Sequence, residues 1–205
     1  MIFSALPLLE IALALPWIGA AAIPLFRSSP AAARFSLGFL AFLLVAVGAA
    51  AISLGAAGAV PSRVFAVDAV AVPMLPVLVL LHLLALLGTS KSRVTPALCI
   101  RILLATFVAL AIVTCRDPWV LVGLLALAPV LPYTELESRG RPTRGFAIHM
   151  GLFVGLLILG QTLVGKGSAS AGCALILAGL LVRGGIAPFH VWIPQLFGSA
   201  SYATS

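Results

Sequence analysis

The feature that most constrains this chain is the recurrence of long apolar runs divided by short polar punctuation. A bilayer's hydrocarbon core, about 30 Å thick, requires about 20 apolar residues per helix. Seven segments meet that requirement, at roughly 5–26, 36–59, 70–89, 97–115, 118–134, 146–164 and 173–194. Between them lie RSSPAAAR, VPSR, TSKSR, CRDP, ELESRGRPTRG and GKGSASAG, rich in Ser, Gly, Pro and charge. Every connection is short, so neighbouring helices are expected to pack antiparallel, and residues 1–205 to form a single transmembrane domain. The first span is not a cleavable leader: it lacks a basic N-terminal region and exceeds a typical signal core. The predicted fold is all-α, a polytopic membrane helix bundle of about seven transmembrane helices.

Composition closes the alternatives. Of the 205 residues, 62% are apolar and 8% charged, against about 45–50% and about 25% in a soluble domain. Soluble globular, disordered and collagenous folds are excluded. The net charge of +7 is not a nucleic-acid footprint, because its 12 Lys and Arg residues are scattered in small groups between apolar runs. The three cysteines, Cys99, Cys115 and Cys173, form no CxxC pair and read as small buried apolar side chains. No metal or cofactor is expected, and the expected surroundings are the lipid bilayer.

The same cations set orientation. Arg27, Arg34, Lys91, Arg93, Arg139, Arg141 and Arg144 fall in the first, third and fifth loops, whereas the opposite loops hold Arg63, Arg116 and Lys166. Seven against three places the odd loops in the cytoplasm and the N-terminus outside, in the cell's inner (cytoplasmic) membrane. Prolines interrupt three spans, at Pro16 and Pro24, Pro73 and Pro76, and Pro129 and Pro132. AVGAAAISLGAAGA in the second span reads as a close-packing face of small residues.

In so apolar a chain, ionisable groups at membrane depth are the functional candidates, since each costs several kcal/mol unless paired or hydrated. They are Glu10, His82, Arg101, His149, Arg183 and His190, joined by the polar Gln161. Glu10 can face the headgroups and Arg101 can snorkel to the interface. His82 and His149 can each bond a backbone carbonyl or serve a proton relay. Asp68 and Asp117 suit helix N-termini. Arg183 is different: counted from Cys173 it falls near mid-membrane, and Gly184, Gly185 and Pro188 follow. Glycines and a proline there predict a discontinuous seventh helix, whose break exposes backbone polar groups to a cavity.

At these residues a family resemblance emerges. RGGIAPFHVWIPQLFGSA resembles the broken-helix segment of the antiporter-like membrane subunits of respiratory complex I (NADH:quinone oxidoreductase), of Mrp cation/proton antiporters and of membrane-bound hydrogenases. The matching positions are Arg183, Pro188, Phe189, His190, Trp192, Ile193 and Pro194, and VFAVDAVAVPMLPVLVLLHLLALL resembles the family's third helix with Asp68 leading it. CRDPWVLVGLLALAP looks like the entry to the fifth helix. The resemblance runs in order along the chain and is specific at the broken helix.

It implies a membrane subunit of a proton-translocating assembly, with other membrane subunits as partners. Arg183, His190, His149 and His82 become ion-path candidates, and Gly184, Gly185, Pro188, Trp192 and Pro194 the broken-helix motif. No catalytic residue, cofactor or metal is implied. Three departures qualify the match. Leu124 stands where the family carries a fifth-helix glutamate, and Arg183 where it carries a lysine. Arginine stays protonated in proteins, whereas a buried lysine can exchange its proton. Family members also have twice as many core helices, in two inverted repeats. The chain therefore reads as the N-terminal half only: a fragment, a split half or a degenerate accessory subunit, with a truncated reading frame favoured. Two alternatives stay open, the partner subunit of an inorganic-carbon uptake system and a non-conducting structural subunit.

Overall fold

A computed structural model of the chain describes residues 6–26, 28–57 and 64–186. The chain divides into two compact units, Met1–Asp117 and Pro118–Ser205. The first contains α1 (Leu6–Ala22), α2 (Ser29–Ala57), α3 (Ala71–Leu87) and α4 (Pro96–Thr114), with short 3-10 turns at Ile23–Leu25 and Lys91–Arg93. The second contains α5 (Pro118–Leu127), α6 (Val130–Ser138), α7 (Arg144–Gly165) and α8 (Ala169–Gly184). Among the described residues the one β contact is an isolated antiparallel bridge between Phe65 and Cys115. It ties the extended approach to α3 onto the end of α4 through Ala66 N–H to Thr114 O (2.8 Å) and Arg116 N–H to Val64 O (2.7 Å).

Among the described residues, apolar helices stand in order where the seven segments are expected. Ser29–Ser53, Pro96–Thr114, Pro118–Ser138 and Arg144–Gly165 are long and apolar enough to cross a membrane, and Leu9–Leu25, Ala71–Leu87 and Ala169–Gly184 are shorter apolar helices. Three boundaries differ from the sequence expectation. The second helix starts at Ser29, so most of RSSPAAAR is helical, because Pro30 is tolerated in a first turn that needs no amide there. The last turn of α6 takes in Glu135–Ser138, leaving Arg139–Thr143 as the connection. The last helix begins at Ala169, which absorbs part of GKGSASAG.

The longer helices bury one stripe and turn the rest outward, whereas α5 buries none of its residues. Along α2 the stripe is Ala32, Ser36, Leu40, Leu43, Val47 and Ala51, the three- and four-residue spacing of one helical face. It packs on Leu75 and Val79 of α3, while α1 packs mainly on α4, where Trp17 meets Phe107 edge-on at 5.5 Å. Outward faces remain apolar, with Ile18, Val45, Ile52 and Leu84 more than half exposed. Among the described residues the buried polar side chains are hydroxyls that bond their own helix: Ser36 to Ala32 O (2.8 Å), Thr106 to Ile102 O (2.9 Å) and Thr114 to Leu110 O (2.9 Å). Apolar outside and internally satisfied within is the arrangement a lipid solvent selects.

The prolines act unequally. Helices α1 and α3 run through Pro16 and Pro76, each losing one helical hydrogen bond. The fifth span instead breaks between Leu127 and Val130. Pro129 and Pro132 together remove the amides that Leu125 and Ala128 would have bonded, and the helix restarts with Tyr133 N–H to Pro129 O at 3.1 Å. Helix starts follow local chemistry. Asp68 Oδ1 accepts from the amides of Val70 (3.0 Å) and Ala71 (2.8 Å) ahead of α3, and Thr95 Oγ1 accepts from Leu98 N–H (3.2 Å) with Pro96 opening α4.

Candidate functional site

In the second unit α7 and α8 form a tight antiparallel hairpin, and glycines create it. Gly160 and Gly172 face each other so closely that a Cβ on Gly172 would lie 2.6 Å from the Gly160 carbonyl oxygen and 2.8 Å from the Val164 nitrogen. The close approach presses the α7 stripe Phe146, Met150, Phe153 and Leu157 against Val182, and together with Leu136 these form one buried cluster. Small residues let backbones meet where lipid supplies no hydrophobic drive. The α2 face singled out from the sequence is looser: at Gly48 a Cβ would stand an ordinary 4.0 Å from Pro76.

The hairpin places Arg183 in the last turn of α8, with its Cζ 5.2 Å from the centroid of the Phe153 ring. Phe153 is fully buried and Arg183 half-buried. The helix then stops: Gly185 takes the left-handed conformation (φ 63°), Gly185 N–H bonds Val182 O, and Ile186 N–H bonds Leu181 O, both at 3.2 Å. These two bonds are the Schellman termination. Gly140 after α6 (φ 64°) and Gly167 after α7 (φ 87°) end their helices the same way. The Arg183 cation therefore meets two attractive fields, the π face of Phe153 and the negative end of the α8 dipole. Because α8 begins at Ala169 rather than Cys173, Arg183 lies at a helix end, about 21 Å along the helix from its start.

The histidines are held by their own helices. His82 Nδ1 lies 2.8 Å from Leu78 O, and His149 Nδ1 lies 2.8 Å from Gly145 O. A carbonyl only accepts, so in each neutral ring Nδ1 carries the proton and Nε2 keeps a lone pair. His149 is one turn from Phe153 on α7, so it shares the second unit with Arg183, whereas His82 belongs to the first. Gly184 and Gly185 are the described part of the broken-helix motif; Pro188, His190, Trp192 and Pro194 lie outside the described residues. Glu10 is exposed, Arg101 and Gln161 are half-buried, and Leu124 is half-buried in α5.

Of the cysteines, Cys99 is buried, Cys115 half-buried and Cys173 faces outward, so the buried reading does not hold for Cys173. The Cys115 thiol donates to Asp117 O at 3.4 Å, and burial pushes its pKa up, which disfavours a nucleophilic thiolate. No group of His, Cys, Asp or Glu among the described residues could hold a metal. Sequence reading missed Phe153 as the partner of Arg183. The available signal was its place in the Phe146, Met150, Phe153, Leu157 stripe on the helix immediately preceding α8.

Fold and site together define a polytopic helical membrane protein in which a helix hairpin sets Arg183 over the Phe153 ring. Part of the chain is similar to NADH-ubiquinone oxidoreductase chain 2 of Vulpes vulpes, at 26% identity over 49% of this chain. The match spans 33% of that relative's own length. No protein-family model matches the chain, and no solved structure matches it.

Proposed function

We propose that this chain serves as a membrane subunit of an NADH:quinone oxidoreductase-like, proton-translocating assembly, with other membrane subunits as its partners. The observation that carries the reading is the similarity to NADH-ubiquinone oxidoreductase chain 2, in a chain whose described residues include four apolar helices long enough to cross a membrane and three shorter ones. The tagged full-length chain, purified from its native membrane, is expected to bring down redox-assembly subunits. Recovery with a large zinc-containing soluble partner instead would move the function to inorganic-carbon uptake.

Within that assembly Arg183 acts as a fixed cation beside the path rather than as a proton carrier. Its guanidinium stays protonated, and Phe153 and the end of α8 already hold it. His149, His190 and His82 are the imidazole members of the proposed path, with the Nε2 lone pairs of His149 and His82 as proton acceptors. The expected result for Arg183→Met is a loss of assembled complex that exceeds any loss of proton uptake per complex, while Arg183→Lys assembles. Normal yield of Arg183→Met with abolished proton uptake would give Arg183 a direct part in conduction.

A second reading, a non-conducting structural subunit, draws on a specific observation: both described histidines bond their own backbone, and Leu124 offers no acid to Arg183. Unchanged proton uptake when His149 and His82 are both replaced by Gln would favour it. The proposed orientation has the loop after α6 in the cytoplasm and the loop after α7 outside. In a background without native cysteines, an impermeant thiol reagent on intact cells is expected to label Ser168→Cys and spare Ser138→Cys. The reverse pattern would invert the topology.

A further inference from the structure

We propose that the cleft between the start of α2 and the end of α3 binds an anionic phospholipid, with its phosphate at Arg34 and Lys91. A cavity of about 430 Å³ opens there within the first unit, inside the range of about 300–1,000 Å³ typical of ligand pockets. Its wall is apolar, made by Ala33 and Leu37 of α2 and by Leu86 and Leu87 of α3. Leu87 is 57% exposed, so the wall continues onto the outward apolar surface that faces acyl chains. The mouth has the opposite character. Arg34 and Lys91 both line it, and none of the chain's five acids does.

Two details make this mouth a headgroup site. Arg34 Nε donates to Pro30 O at 3.3 Å, which tethers the guanidinium at the first turn of α2 and engages one of its five N–H donors. Ser29 and Pro30 line the same cavity, so the positive end of the α2 dipole adds to the field there. A free inorganic anion would use the cations and leave the apolar wall in water. A neutral lipid would fill the wall and leave the cations without a counter-charge. A phospholipid with a net negative headgroup satisfies both, and it belongs to the leaflet where a basic pocket between helix ends meets the interface.

The site stands independently of the function proposed above. Its test is native mass spectrometry of the full-length chain in detergent, titrated separately with phosphatidylglycerol and phosphatidylcholine. Phosphatidylglycerol is expected to bind at least about tenfold tighter, and inorganic phosphate at millimolar concentration is not expected to displace it. Removing both cations in Arg34→Gln/Lys91→Gln should weaken phosphatidylglycerol about thirty-fold, taking about 1 kcal/mol per basic residue near the membrane surface. Ala33→Phe, which fills the apolar wall and keeps the charges, should also lose the bound lipid. Arg141→Gln/Arg144→Gln removes the same charge elsewhere and should leave binding within about twofold.

Equal affinity for the two lipids, displacement by phosphate, or an equal loss in Arg141→Gln/Arg144→Gln would each overturn the proposal. The comparisons on the unsubstituted chain decide the matter even where a variant fails to fold.

Discussion

Replacing Phe153 by alanine is expected to destabilise the second helical unit by about 3–5 kcal/mol, the cost of removing a fully buried aromatic ring. Phe153 has 0% exposure and lies in the buried cluster with Phe146, Met150, Leu157 and Val182. Across the hairpin a Cβ on Gly179 would stand only 3.3 Å from the Phe153 carbonyl oxygen, so the neighbouring helix has little freedom to collapse into the void. The ring also supports the Arg183 cation. Phe153→Leu keeps much of the volume and removes the π face, which separates packing from cation–π attraction. A double-mutant cycle between Phe153→Leu and Arg183→Met, followed by reversible unfolding in detergent micelles, should show a coupling of about 0.5–2 kcal/mol. Additive effects would mean that the guanidinium and the ring do not interact.

Gly172→Ala is expected to cost about 1–3 kcal/mol although it adds a single methyl group. That methyl would sit 2.6 Å from both the Gly160 carbonyl oxygen and a Val164 methyl, and one of those neighbours is backbone that no rotamer change can move. Relief requires α7 and α8 to separate, which loosens Phe153 and Arg183 as well. Gly172→Val should therefore abolish the hairpin rather than merely weaken it. The informative control is on the facing helix. Gly151 and Gly155 have nothing within 4 Å of a Cβ position, so Gly151→Ala and Gly155→Ala remove a helix-interior glycine without a clash. Those substitutions should be neutral or stabilising by up to about 1 kcal/mol. Thermal unfolding of the four variants in one detergent would compare the same chemical change in opposite surroundings. A cost at Gly155 equal to that at Gly172 would refute the close-contact account.

Much of the fold was legible because lipid makes the rules simple. A helix must satisfy its own backbone and show apolar side chains to its solvent, so length and hydropathy locate spans without knowledge of neighbours. Asp68 before α3 and Gly185 after Arg183 were equally readable, since capping depends on residues a few positions apart. The start of α2 was misjudged because Ser and Pro serve both loops and helix N-termini, and only the course of the chain separates the two.

The site followed a different logic. That Arg183 carries a permanent charge next to a helix-ending glycine is a property of the sequence alone, as is the lack of any acid between Asp117 and Glu135. What the charge meets is not. Phe153 lies thirty positions earlier, and its role depends on the angle and register with which α7 meets α8. That register is set by Gly160 and Gly172, two of the chain's 19 glycines, which look no different in sequence from Gly151 and Gly155. Local chemistry thus determined the caps at Asp68 and Gly185 and where the chain carries charge, because those forces act within a turn or two of chain. Tertiary structure alone decided which glycines touch and which ring the cation rests on, because these contacts join residues that only the packing of two helices brings within reach.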